Sequence, residues 1–215
     1  VTGICGDAAY WTLDREGKLT IAGTGTTYDV NDNITDLTEA SPWIYWKESI
    51  NTLIVEEGIT ALGKDLFRGH HNLANVTLPE SLVSIGSQTF RDCANLTYFC
   101  FPNGLKTIGH MAFYSCDNLK TVTFGNSLET IGRYSFGDCF SLQGIVFPES
   151  LTTIESDAFR NCDALTEVTI PQNVTYLGSM AFYSCNNLQS VYIYNQFVSS
   201  YAFSVCDNLR TVVLS

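Results

Sequence analysis

The chain has 215 residues, of which 45% are hydrophobic, and this is enough apolar material for a sizeable core. Its formal net charge is −11, from 11 Lys and Arg against 22 Asp and Glu. We therefore expect no nucleic-acid partner and no attraction to an anionic membrane, because both carry negative phosphates. No apolar run approaches the roughly 20 residues of a membrane span, so no membrane insertion is expected.

The amino-terminal segment predicts a β-hairpin. Apolar and polar residues alternate over Tyr10–Leu13, turn-forming residues follow at Asp14–Gly17, and a second alternating segment runs from Lys18 to Ala22. A period of two is typical of a strand with one buried face. We therefore expect two antiparallel strands joined by a short turn.

A polar, acidic loop from Thr24 to Thr38 leads to a predicted short helix. Ser41 and Pro42 are the residue types preferred at a helix N-cap and at the first helical position. Trp43 and Trp46 follow, and these aromatic side chains are expected to cover the apolar edge of the next segment. Residues 1–49 are therefore interpreted as an N-terminal cap built from the hairpin, the acidic loop and the helix.

The acidic loop carries one pattern that is similar to a calcium-binding loop. Oxygen-bearing side chains alternate between residues 29 and 36, as they do in an EF-hand. However, Ile34 stands where the EF-hand requires a glycine, and Ala40 stands where it requires a bidentate glutamate. An ordinary acidic loop is therefore favoured over calcium binding, and no cofactor or metal is predicted.

A repeat with a fixed period occupies residues 50–215. Each unit carries a phenylalanine, followed by a cysteine three residues later and a leucine six residues later. The full signature begins at Phe90, Phe113, Phe136, Phe159, Phe182 and Phe203. Phe67 starts the series with His70 at the cysteine position. The step is 23 residues from Phe67 to Phe182 and 21 residues for the last interval.

The rest of each unit predicts a strand followed by turns. The signature leucine opens a six-residue segment with apolar residues at its first, fourth and sixth positions, and its last three residues alternate inward, outward and inward. An aliphatic pair, usually a glycine, and a short turn around the phenylalanine follow, and we expect that turn to be helical. Because one unit cannot bury its apolar side alone, stacked units predict a solenoid with a parallel sheet on one face.

These motifs are those of a known family. The pattern of Pro, Leu, Ile-Gly, Ala-Phe, Cys and Leu closely resembles the BspA-type (Treponema-type) leucine-rich repeat. The segment from Gly3 to Trp43 resembles the amino-terminal module on such arrays in surface proteins of gut anaerobic bacteria. The resemblance implies an α/β, β-rich leucine-rich-repeat solenoid of about seven 23-residue units, with an N-terminal β-hairpin cap and a secreted or cell-surface location.

The cysteines and histidines predict structure rather than chemistry. Six cysteines share one repeat position, so they should form a column of reduced, buried thiols, whose parallel side chains suit neither disulfides nor a converging zinc site. Cys100 should point outward, and Cys5 stands outside the column. His70, His71 and His110 have no orienting partner fixed by a motif. No catalytic residue and no enzyme activity are therefore predicted.

The outward strand positions form the candidate binding face. They vary from unit to unit while the inward positions do not. The candidates are Asn75, Thr77, Tyr98, Thr121, Thr123, Val146, Glu167, Thr169, Ser190 and Tyr192. Solenoids commonly bind partners on such a surface. The residues alone leave open that Tyr and Thr occur there because strands favour them, and the resemblance favours binding.

Two functions follow as hypotheses. The first is an extracellular, adhesin-like module that binds a protein of the host or of another cell on the sheet face. The alternative is a structural spacer in a larger surface protein, and an enzyme with a site in residues 1–49 is a distant third. At the carboxyl end, the apolar segment Val212–Leu214 is expected either to continue into further chain or to self-associate.

Overall fold

The structure, a computed structural model, describes residues 1–30, 40–194, 199 and 201–214. Its strands follow the repeat. Three sheets of five, two and three strands contain β1 (Thr2–Ile4), β2 (Ala9–Leu13), β3 (Lys18–Gly23), β5 (Thr52–Val55), β7 (Asn75–Thr77), β9 (Tyr98–Cys100), β11 (Thr121–Thr123), β14 (Glu167–Ile170), β16 (Ser190–Ile193) and β17 (Thr211–Leu214). A further sheet has seven strands, most of them only two residues long, and we call it the narrower sheet. Its strands are β4 (Gly25–Thr26), β6 (Ile59–Leu62), β8 (Ser84–Ile85), β10 (Thr107–Ile108), β12 (Thr130–Ile131), β13 (Thr153–Ile154) and β15 (Tyr176–Leu177).

The chain winds as a parallel-sheet solenoid of about seven turns with very little helix, which confirms the predicted fold. Neighbouring units pair in register, so that Tyr98 lies beside Thr121 and Thr107 lies beside Thr130. A register equal to the repeat length places equivalent residues in straight columns. Inward and outward columns therefore follow directly from the period of the sequence.

The core of the solenoid is an aromatic stack. We call Phe67, Phe90, Phe113, Phe136, Phe159, Phe182 and Phe203 the aromatic spine. Consecutive rings of the spine lie 5.1–5.5 Å apart, centroid to centroid, with their planes within 20° of parallel. This is the range in which stacked rings attract one another beyond simple burial. Each unit is therefore held to the next by its largest apolar side chain.

The column cysteines join the backbone of the spine. The Sγ of Cys93 donates to the carbonyl oxygen of Phe67 at 3.2 Å, and the Sγ of Cys116 donates to that of Phe90 at 3.1 Å. Each remaining column cysteine makes the same contact with the preceding unit, at 3.2 Å. A thiol is a weak donor, and at Phe67 and Phe90 it adds a second hydrogen bond to a carbonyl that already accepts one from the amide of His70 or Cys93.

The predicted helical turns are wrong. Around each spine residue the chain makes tight turns with left-handed backbone on either side, as at Gln88 (φ 59°) and Asp92 (φ 60°). The amide of Phe90 donates to the carbonyl of Ala112 in the next unit, at 2.8 Å, instead of to its own segment. Left-handed residues interrupt a helix, so these turns pair between units.

Two further local predictions are wrong. The structure has a 3-10 helix at Ile44–Ser49 whose N-cap is Trp43, without a side-chain cap, because a turn at Pro42 precedes it. Ser41 is therefore not the N-cap. The predicted strand at residues 145–147 is also absent, and only an isolated bridge joins Thr121 to Gly144. Gly144 brings no side chain to this outward position, and glycine weakens a strand.

The amino-terminal segment continues the solenoid. β2 and β3 form an antiparallel pair where the alternation predicts a hairpin, and β3 pairs in parallel with β5 of the first repeat. Trp43 stacks on Phe67 at 5.1 Å and 19°, so it extends the aromatic spine by one ring. Trp11 in turn packs edge-on against Trp43 at 5.7 Å. These contacts support the proposal that residues 1–49 cap the array.

The cap proposal predicts a large cost for one tryptophan. Trp43 is fully buried, so Trp43→Ala should lower the free energy of unfolding by about 3–5 kcal/mol, measured by chemical denaturation. Tyr45→Ala serves as the control, because Tyr45 is exposed and should change stability by less than about 0.5 kcal/mol. Similar stabilities for the two variants would refute the role given to Trp43.

Candidate binding face

The ten candidate residues lie in two columns on one side of the solenoid. We call this surface the outward face. One column contains Asn75, Tyr98, Thr121, Glu167 and Ser190, and the other contains Thr77, Thr123, Val146, Thr169 and Tyr192. All of them are exposed except Ser190 and Tyr192, which are half-buried. The strands thus present side chains that the core does not need, and whether they bind a partner stays a prediction.

The outward face combines polar, aromatic, acidic and aliphatic side chains. The Tyr98 hydroxyl and the Thr123 hydroxyl share a hydrogen bond of 2.9 Å, which orients the tyrosine across two strands. Val146 is 85% exposed, the highest exposure of any large apolar side chain among the described residues. Its side chain is therefore accessible to another molecule.

A groove opens beside Val146. Its volume is about 520 Å³, and its walls come from the strandless segment around Val146 and Phe147, from Glu149, and from Glu167 and Thr169 of β14. Tyr194 also lines the groove. Val146, Glu167 and Thr169 belong to the predicted face. Glu149 and Tyr194 were not predicted, because the groove depends on a strand that fails to form.

The thiols are placed for structure. Cys5, Cys93, Cys116, Cys139, Cys162 and Cys185 are buried, Cys206 is half-buried, and Cys100 is exposed, and all eight are free. Burial raises the pKa of Cys5 to about 12 and raises the pKa of the Cys93 thiol well above its usual value. Since the thiolate is the reactive form, these thiols are poor nucleophiles. The geometry agrees with the predicted column of reduced cysteines.

The three histidines differ in burial and surroundings. His70 is buried beneath the spine, 5.4 Å from the ring of Phe67, and its Nδ1 lies 3.4 Å from the carbonyl oxygen of Arg68. Burial, with the nearby charge of Lys47, lowers the pKa of His70 to about 4. His71 and His110 are exposed. Among the described residues, no group of three His, Cys, Asp or Glu side chains could hold a metal ion. Residues 31–36 of the candidate calcium loop lie outside the described residues.

The comparisons with known proteins agree with this geometry. The stacked units define a leucine-rich-repeat solenoid. The family model for the BspA type leucine rich repeat region matches residues 40–162 and 129–215, which together cover most of the chain. The chain belongs to the BspA-type leucine-rich repeat family. Comparison with curated proteins returns no match.

Solved structures show the same fold. A leucine-rich repeat protein from Bacteroides ovatus is similar over 97% of this chain and 76% of its own length, with 18% identity and a TM-score of 0.50. A leucine-rich repeat protein from Eubacterium ventriosum is similar over 100% of this chain and 78% of its own length, with 22% identity and a TM-score of 0.43. A leucine rich cell surface protein from Faecalibacterium prausnitzii is similar over 97% of this chain and 93% of its own length, with 16% identity and a TM-score of 0.42. The likeness to the Bacteroides protein supports the fold alone.

The buried histidine predicts acid sensitivity. The pKa of His70 is about 4 in the folded protein, against 6.5 in the unfolded chain. The unfolded chain therefore takes up a proton more readily, so stability that is fully present above pH 6.5 is lost as the pH falls towards 4. The loss by pH 4 should be about 3 kcal/mol. His70→Cys, which places the usual column residue there, should remove it.

The measurement is the free energy of unfolding at pH 7 and at pH 4. The exposed His110 provides the control, because His110→Cys should leave the pH dependence as it is in the parent protein. Equal losses on acidification in the parent and in the His70→Cys variant would show that His70 does not carry the effect.

Proposed function

We propose that this chain is an extracellular or cell-surface interaction module, adhesin-like in action, that binds a protein partner on its outward face. The observation that carries the proposal is the separation of the two sets of side chains. The inward columns are nearly uniform and buried, whereas the outward columns are varied and exposed on a rigid backbone. Solenoids use such a surface for binding because it is free to vary without cost to the core.

The composition of the outward face suits contact with a protein. Tyr98 offers a large, rigid ring with a hydroxyl group, and Thr121 and Thr123 offer small hydrogen-bonding groups beside it. The protein as a whole carries a net charge of −11, which favours a partner surface with basic groups. No nucleic acid is proposed as a partner, because its phosphates would be repelled.

The proposed location follows from the family resemblance. The repeat array of this chain resembles the BspA-type arrays of bacterial surface proteins. Its amino-terminal segment resembles the module that precedes such arrays. Within the described ranges, no helix is long and apolar enough to cross a membrane. A catalytic role is not proposed, because no sequence motif fixes an orienting partner for any of the three histidines.

The second candidate function is that of a spacer. The continuous aromatic spine and the in-register pairing of units make the array stiff, and a stiff array can position another domain of a larger surface protein. A spacer needs no partner on its outward face. Substitutions there would then have no functional effect, which separates the two candidates.

The proposal predicts a matched pair of tyrosine variants with different behaviour. Tyr98 on β9 and Tyr176 on β15 are both 52% exposed, but only Tyr98 lies on the outward face. Binding of the immobilised protein to a panel of purified extracellular-matrix proteins is measured by surface plasmon resonance. Tyr98→Ala combined with Thr121→Arg should weaken a saturable interaction by about tenfold or more.

Tyr176→Ala should leave the same interaction unchanged, because its ring lies on the narrower sheet. Thermal unfolding of each variant controls for loss of structure. Saturable binding that withstands the outward-face substitutions would contradict the proposed surface. A complete absence of binding to the panel would favour the spacer.

A further inference from the structure

The fifth repeat interrupts the outward face. The units before and after it form β11 and β14, but Ile145, Val146 and Phe147 lie between these strands without joining either one. Just before them, Gly144 forms an isolated bridge to Thr121, and the Gln143 amide donates to the Lys120 carbonyl at 3.1 Å. The turns of the same units stay paired, for example through the Phe136 amide and the Ala158 carbonyl at 2.8 Å. The units are thus packed normally behind a face that has opened locally.

The opening leaves backbone groups without partners. Among the described residues, the amides of Ile145, Val146 and Phe147 make no hydrogen bond. β14 pairs with β16 on one side, and its other edge, which faces this segment, is unpaired. The rings of Phe136 and Phe159 behind this segment lie only 5.2 Å apart, so no further strand fits between the two units. The groove therefore offers its side chains to a partner.

The side chains of the groove add a specific chemistry. Val146 and the ring of Tyr194 are exposed apolar surfaces, and Glu149 and Glu167 add two exposed carboxylates to the lining. No lysine or arginine lines the groove within the described part of the chain. Apolar surface together with two acidic groups is complementary to an aliphatic side chain accompanied by basic ones.

We infer that this groove binds an extended segment of a protein partner in which an aliphatic residue is flanked by lysine or arginine at alternate positions. The inference rests on the proposed function and assigns it to one place on the outward face. The aliphatic side chain covers Val146, and the basic groups meet Glu149 and Glu167. Alternate residues of a strand point the same way, so one face of the segment makes all three side-chain contacts.

The size of the groove fits such an occupant. At about 520 Å³ it lies within the roughly 300–1,000 Å³ of ordinary ligand sites. The acidic walls exclude an acidic peptide by like-charge repulsion.

The test is an NMR titration of the whole chain with two blocked heptapeptides. In the first, lysine, isoleucine and lysine alternate with threonine, and in the second both lysines are replaced by glutamate. The first peptide should give saturable shifts of the amide signals at Val146, Glu149, Glu167 and Thr169. The affinity of the second peptide should be lower by at least about tenfold.

A charge reversal sharpens the test. Glu167→Lys should weaken binding of the lysine peptide by about tenfold and strengthen binding of the glutamate peptide. Glu56→Lys is the matched control, because it makes the same change of net charge at an exposed residue several units away and should alter neither affinity. Equal binding of the two peptides, shifts centred on other residues, or no saturable shift at millimolar peptide would overturn the inference.

The outcomes distinguish the groove from the wider function. If the Tyr98 and Thr121 substitutions abolish partner binding while the lysine peptide does not bind, the outward face stands and the groove assignment fails. If the peptide binds with the expected charge reversal while no matrix protein binds, the groove stands as a peptide site and the adhesin-like proposal fails.

Discussion

The stacking of one phenylalanine per unit is the interaction on which the rest of the structure depends. The spine sets a spacing of just over 5 Å between units, and that spacing lets the strands pair in register and the column thiols reach the carbonyls of the preceding unit. It also explains why glycine recurs after the aliphatic pair, at Gly86, Gly109 and Gly132. A Cβ at Gly109 would lie only 2.6 Å from the backbone of Gly86, so a larger residue requires a local shift of the backbone. Glu155 occupies the equivalent position of one later unit.

Because the inward columns carry the stability, the outward columns can carry the specificity. Removing Phe136 would affect the stack on both of its sides, whereas changing Thr123 would affect only the surface. The opening at Val146 follows the same division. The spine and the turns continue through this unit without interruption, and the groove lies where one strand is missing. Under our proposal, the repeat fold acquires a binding site where it leaves one of its own strands incomplete.

The sequence predicts most of this fold and little of the site. The 23-residue period and the alternation in segments such as Leu119–Phe124 determine the solenoid, the inward residues and the outward residues. The helical turns were wrongly predicted, because left-handed residues such as Asp92 are recognised only from backbone angles. The groove was missed, since it depends on hydrogen bonds absent between units. Gly144 at an outward position was the one signal of it. The asparagines before the core leucines were also missed, although Asn118 bonds the Ala94 carbonyl at 2.9 Å.

Thiol labelling of the folded protein tests the central claim most directly, because the cysteines sample both sides of the solenoid. With a maleimide reagent followed by mass spectrometry, Cys100 should react at once. Cys93, Cys116, Cys139, Cys162 and Cys185 should stay unmodified until denaturant unfolds the chain. Labelling of any of these five at the rate of Cys100, or disulfides between neighbouring column cysteines, would contradict a continuous, closed interior ordered by the aromatic spine.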